Sequence, residues 1–208
     1  RSSRAEYWQF TLVNAIILAS RMFFTKNKER INNLEKEKPI TIFDSFMLES
    51  DYDLGRFRNH YYKSMDKYLP KYLNNSIYFM PTLLGSYSAR MLSKIYKNSS
   101  EKILFKQDFL LLRDYFKAYG LLKSNKMDKS KSIYFKGFDI STLVAMYFNK
   151  ENTMNYRAVL DYCSIKGLKE AGIKVHKFID WYEAQPIDKA LIYGFHKYYP
   201  NTQIAGYM

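Results

Sequence analysis

The run of the chain best suited to chemistry is Trp181-Tyr182-Glu183-Ala184-Gln185, a carboxylate set among two aromatics and an amide just before Pro186. A carboxylate there has two readings. It is an ordinary helix-start acid, stabilised by the helix dipole by about 0.3 to 1 kcal/mol, or it stands in a cleft as a general base or as the group that orients an acceptor hydroxyl. Gln185 divides the same way, between helix cap and hydroxyl ligand. Trp181 and Tyr182 offer faces on which a sugar or base can stack. Asp188 and Lys189 follow on the same helix, where a solvated charged turn competes with a role in the site.

Two further places share the position of that loop, at the carboxyl end of an expected strand. They are Asp44-Ser45, and Pro81-Thr82 with Gly85-Ser86. In open α/β sheets ligands bind beyond the carboxyl ends of strands, where loops converge and helix N-termini present positive partial charge. Asp44 also reads as a plain strand terminator. The Gly85-Ser86-Tyr87-Ser88 turn, with Arg90 one turn into the next helix, offers backbone donors to a phosphate, but it lacks the spacing of a dinucleotide fold or a P-loop.

Other chemistries find no constellation. His60, His176 and His196 have no second His or Cys at ligand spacing, so no metal is expected. There is no Gly-x-Ser-x-Gly elbow, and Cys163 has no evident catalytic partner. As the single cysteine it forms no intrachain disulfide, which points to a reducing, cytoplasmic compartment.

The elements that must position these residues alternate. Glu6 to Lys26 has helical spacing. Pro39 introduces the β-branched run Ile40-Thr41-Ile42-Phe43, Gly55 to Tyr72 returns to the helical period, and Ile77-Tyr78-Phe79-Met80 is a second strand. Tyr87 to Tyr96 and Lys106 to Leu122 read as helices. Lys123 to Lys131 is a polar hinge, and Ile133-Tyr134-Phe135 is a short apolar run. Asp139 is placed to cap a helix to about Asn149, and Asn152-Thr153 starts another that Gly172 ends in a left-handed conformation. Ile173 to Ile179 is a strand, Pro186 to Tyr199 a helix, and Gln203 to Tyr207 a returning strand.

Strands alternating with helices predict an α/β fold: an open, mostly parallel, Rossmann-like sheet with helices on both faces. The expected organisation is an N-terminal α/β region over 1–122, a hinge or lid over 123–137, and a segment over 138–208 that continues beyond the chain. The start at Arg1 and the stop at Gly206-Tyr207-Met208 carry the expectation of a fragment.

With 208 residues and 47% hydrophobic composition the chain can bury a good core. Thr11 to Ala19 is its most apolar run, well short of the roughly 20 residues of a membrane span. The net charge of +13 reads first as lysine on solvated faces. An anionic membrane surface is the next reading, since each exposed Lys or Arg gains about 1 kcal/mol near an acidic leaflet. Basic residues are spread along the chain rather than interleaved with aromatics on one element, so no nucleic-acid partner is expected.

The segment Trp181-Tyr182-Glu183-Ala184-Gln185-Pro186-Ile187-Asp188-Lys189-Ala190-Leu191, followed by Pro200 and Ile204-Ala205-Gly206-Tyr207, resembles bacterial surface carbohydrate biosynthesis proteins of the GT-B glycosyltransferase type. Their pattern is roughly Tyr-Glu-x-Gln-x-x-Glu/Asp-Lys-x-Leu and then Gly-Tyr-Gln; Met208 departs from it at the last position. Phe138-Asp139-Ile140 and Asp161-Tyr162 to Gly172 are similar to the same proteins at lower specificity. The resemblance implies transfer of a sugar from a nucleotide-activated donor to a glycan or glycolipid acceptor of lipopolysaccharide or capsule, between two α/β domains and without a cofactor. It further implies that Glu183 belongs to the cleft and that Gln185 and Lys189 support it. The alternative is a non-catalytic α/β module that assembles on polysaccharide or membrane.

Overall fold

A computed structural model of the protein describes residues 38–53, 56–57, 62, 76–84, 89–98, 102–124, 132–144 and 152–207. Four parallel strands form the main sheet: β1 (Ile40–Met47), β4 (Ile77–Leu83), β7 (Val175–Trp181) and β8 (Gln203–Tyr207), in the order β4-β1-β7-β8. Two short antiparallel ladders stand apart from it, β2 (Tyr52–Asp53) with β3 (Arg56–Phe57) and β5 (Tyr134–Phe135) with β6 (Phe138–Asp139). The helices are α1 (Ala89–Asn98), α2 (Leu112–Ser124), α3 (Asn152–Glu170) and α4 (Pro186–Tyr198).

Both faces of the sheet are covered, as the α/β reading requires. Ile42, Met80 and Phe178 form one core with Ile165 and Leu168 of α3 and Leu191 and Phe195 of α4. On the opposite face Met47, Phe79 and Leu83 meet Leu92 and Ile95 of α1. The chain passes from β1 to β4 on one side and then to β7 on the other. The topological switch point therefore lies between β1 and β7, where ligands of open sheets collect. One sheet joins strands from both sides of the expected 123–137 boundary.

Several expected boundaries move, each for a physical reason. β1 and β4 run past Phe43 and Met80, because the buried sheet continues through polar residues. Asp44, Ser45, Pro81 and Thr82 lie inside strands rather than after them. Pro81 is tolerated because β4 is the edge strand. The helix expected from Lys106 is broken: Lys106–Phe109 is a 3-10 turn, and α2 starts at Leu112 with Asp114 accepting a 2.8 Å hydrogen bond from the Leu111 N–H. Residues 56–57, expected to open a helix, form β3. The rest of that helix apart from Tyr62, and the helix expected over 6–26, lie outside the described residues. Asp139 pairs in β6 and also accepts from the N–H of Ser141, which starts a helical turn.

Gly172 ends α3 as expected, at φ 78°, with the paired backbone bonds of a Schellman motif from Gly172 to Lys169 and from Ile173 to Leu168. Gly167 has a different reason. A Cβ there would overlap the backbone carbonyl of Phe109, so only glycine lets the 3-10 turn lie directly on α3. No helix among the described residues is long and apolar enough to cross a membrane.

Candidate functional site

The loop after β7 is built from its own side chains. Trp181 closes the strand and donates its indole N–H to Glu183 Oε1 at 2.8 Å, while Gln185 Nε2 donates to Glu183 Oε2 at 2.7 Å. Between them Ala184 adopts φ 58°, a left-handed conformation that costs a non-glycine residue about 1 to 2 kcal/mol. Asp188 holds this shape: its Oδ2 accepts from the backbone N–H of Glu183 at 2.9 Å and of Gln185 at 2.8 Å. A carboxylate at the third helical position reaching back to the cap residue is half of a capping box. Glu183 and Ala184 are exposed, so a fixed carboxylate faces solvent at the carboxyl end of β7.

The aromatics serve mainly as walls. Trp181 meets Tyr62 edge-on at 6.3 Å and Tyr207 at 5.3 Å. Tyr182 is half-buried, donates its N–H to the Tyr207 carbonyl at 3.1 Å and lies over Gly206. Lys189 is exposed on α4, one residue past Asp188.

Beneath the loop lies a buried ionic cluster. Asp44 from β1, Asp161 from α3 and Asp180 from β7 surround Lys106 of the 3-10 turn, and Asp188 from α4 adds its charge to that of the three carboxylates. The Lys106 ammonium is 2.8 Å from Asp44 Oδ1 and 3.5 Å from Asp161 Oδ2, and it donates to Thr82 Oγ1 at 2.6 Å. Asp180 is fully buried, and neither of its oxygens has a hydrogen-bond partner among the described residues.

The electrostatics follow from burial and crowding. Loss of hydration is the largest influence on Asp180, and the charges of Asp44 and Asp188 add to it, pushing its carboxyl up to about 8. Burial likewise raises Asp44, but Lys106 opposes it and the result is about 6. Burial alone would lower the Lys106 ammonium, yet Asp161 and then Asp44 hold it above its ordinary value. Asp161 is raised by burial against the pull of Lys106. At neutral pH the cluster therefore holds a protonated Asp180 beside the Asp44–Lys106 ion pair.

The expected site residues separate into two groups. Glu183, Gln185, Trp181 and Tyr182 come together at one loop as read, with Lys189 at its edge. Asp44 sits on β1 at the switch point and Thr82 on β4, across β1 from it, and both point into the buried cluster, with Asp44 only 1% exposed. Ser45 is fully buried as well, its neighbour in β1 by a single residue and so directed to the other face. Gly85 and Ser86 lie outside the described residues. Of the two readings of Asp188, the solvated charged turn is corrected by the structure: Asp188 is buried and clamps the loop.

Lys106, Asp161 and Asp180 were missed. Asp161 stands in register with Ala158, Ile165 and Leu168 on the buried stripe of α3, a spacing that signals an interior acid. Asp180 shares the face of Phe178, whereas alternation from Ile173 had assigned it to a polar face; covering both faces removes that distinction. Lys106 ends the apolar run Ile103-Leu104-Phe105 and carries no local mark of its partners. Among the described residues no group of His, Cys, Asp and Glu is arranged to hold a metal ion. Comparison with known protein families, curated proteins and solved structures finds no match to this chain.

Proposed function

We propose that the protein takes part in glycosyl transfer of the GT-B type, moving a sugar from a nucleotide-activated donor to a surface polysaccharide or lipopolysaccharide acceptor at the cytoplasmic side of the membrane. The observation that carries this reading is the Glu183 carboxylate, exposed beside the switch point and held between the Trp181 indole and the Gln185 amide. A carboxylate has about four acceptor positions, so two remain for a substrate hydroxyl. Its fixed orientation removes part of the entropic cost of aligning the acceptor.

In this reading Glu183 accepts the proton of the acceptor hydroxyl, or aligns it, as the hydroxyl oxygen attacks the donor's anomeric carbon and the nucleotide leaves. Gln185 and Trp181 keep the carboxylate in place. Lys189 and neighbouring basic residues neutralise the donor phosphates, so the chemistry is assigned to side chains and to no cofactor. Asp188 is a positioning residue, since it acts through the loop backbone.

Glu183→Gln in the full-length protein tests the proposal with radiolabelled nucleotide sugars and acceptor glycan. Loss of a general base or orienting acid lowers kcat by roughly 10²- to 10⁴-fold with the fold intact. Transfer at the wild-type rate by the variant refutes the role of Glu183. The second reading, a non-catalytic membrane- or polysaccharide-associated module, is favoured by one observation, the exposed aromatics of β5 and β6. Absence of turnover by the wild-type protein with every nucleotide sugar selects it.

A further inference from the structure

Lysines that are scattered in the sequence are gathered by the helical period into an aromatic and basic face on α3 and α4. Lys189, Tyr193 and Lys197 recur at intervals of four residues and so form one stripe along α4, with Tyr193 62% exposed and both lysines exposed. Tyr162 of α3 meets this stripe. Its ring stacks on Tyr193, with centres 5.6 Å apart and planes at 26°. Tyr198, in the last turn of α4, lies 5.6 Å from the same ring, and the two phenol oxygens are hydrogen-bonded at 2.8 Å.

These contacts fix the rings and still leave groups for recognition. One phenol donates to the other, so the pair keeps one O–H that can donate outward. The Lys197 ammonium stands 5.8 Å from the centres of the Tyr162 and Tyr198 rings and donates to the Tyr162 hydroxyl. Stacking covers one side of the Tyr193 ring, so its exposure belongs to the other side. Among the described residues of α3 and α4, the charges that reach solvent are Arg157, Lys166, Lys169, Lys189 and Lys197 against Glu170, which Lys166 meets at 3.4 Å. Asp161 and Asp188 of the same helices are buried. The face therefore carries a surplus of positive charge.

From this we propose that the Tyr162-Tyr193-Tyr198 face binds an acidic polysaccharide and seats the acceptor chain beyond the Glu183 loop. Charge and ring geometry select this occupant. The open side of Tyr193 offers a surface to the C–H face of a sugar, while the phenol O–H and Lys197 beside it match ring hydroxyls and an anionic substituent. Single-stranded nucleic acid stacks successive bases on successive rings, whereas Tyr162 and Tyr193 spend their facing sides on each other. The stripe starts one residue past Asp188, which clamps the loop of Glu183, and covers about 12 Å of α4 from Lys189 to Lys197. The inference deepens the glycosyl-transfer reading and rests on it for calling the bound glycan an acceptor; the binding itself does not use Glu183.

Isothermal titration of the full-length chain with oligogalacturonate tests it, with neutral maltooligosaccharide for comparison and no nucleotide sugar present. The acidic oligosaccharide should bind and the neutral one should bind at least tenfold more weakly. Tyr193→Ala should weaken binding of the acidic one by about tenfold, and Lys197→Ala by about threefold at low salt and less as salt rises. Lys94→Ala, which removes an exposed lysine of α1 on the opposite face of the sheet, should bind as the wild type does. Failure of the wild type to bind oligogalacturonate, or equal binding by Tyr193→Ala with its circular dichroism unchanged, overturns the proposal. An equal loss in Lys94→Ala overturns it in favour of unspecific charge attraction. A thymidine oligonucleotide that binds more tightly, and is lost in Tyr193→Ala, overturns it in favour of nucleic acid. Since neither a donor nor Glu183 enters the measurement, failure of this face and failure of the transfer reading are seen separately.

Discussion

Replacing Asp180 by asparagine keeps the size of the side chain and removes its titration. In the folded protein burial and the neighbouring carboxylates raise this group from 3.8 to about 8. Between those values the folded state keeps a proton that the unfolded chain has released, so stability falls as pH rises. The contribution is fully present below about 4, and the loss levels off above about 8. At about 1.4 kcal/mol for each tenfold change, the whole separation corresponds to at most ~6 kcal/mol. Asp44, raised to about 6, contributes a parallel loss at lower pH. The window from pH 6 to 8 therefore isolates Asp180, where the wild type should lose on the order of 2 kcal/mol that Asp180→Asn does not lose. Urea unfolding followed by tryptophan fluorescence at pH 6, 7 and 8 measures both slopes. Groups common to the two proteins cancel in the comparison, so the difference between slopes is the quantity to read. Equal slopes would falsify a buried, neutral Asp180.

Other outcomes follow from the same packing. Lys106→Met leaves Asp44 and Asp161 buried without their counter-charge and should destabilise the protein by about 3 to 5 kcal/mol; a loss under about 1 kcal/mol in urea melts contradicts the ion-pair arrangement. Gly167→Ala drives a methyl group into the Phe109 carbonyl and should cost roughly 1 to 3 kcal/mol by thermal melting, with the 3-10 turn displaced. An unchanged melting temperature rules out the close contact of that turn with α3.

Much of this architecture is legible in local pattern. β-branched runs and helical spacing place β1, β4, α3, β7, α4 and β8, because burying one face of each element imposes a period that a short window reveals. The loop from Trp181 to Gln185 is legible for the same reason, since Pro186 opens a helix and the strand ends before it. Asp188 is visible there, but its burial is not. Its charge suggests solvent, whereas the loop's free N–H groups needed an acceptor and drew the side chain inward.

The buried cluster belongs to another level. Asp44, Lys106, Asp161 and Asp180 are separated by long stretches of chain and meet only because β1 pairs with β7 and because Gly167 lets the 3-10 turn settle on α3. A residue's type and its immediate neighbours decide which helix or strand it joins. They do not decide which charge will face it across a core, and there the absence of water, more than the residue's own chemistry, sets whether Asp180 is a carboxylate or a carboxylic acid.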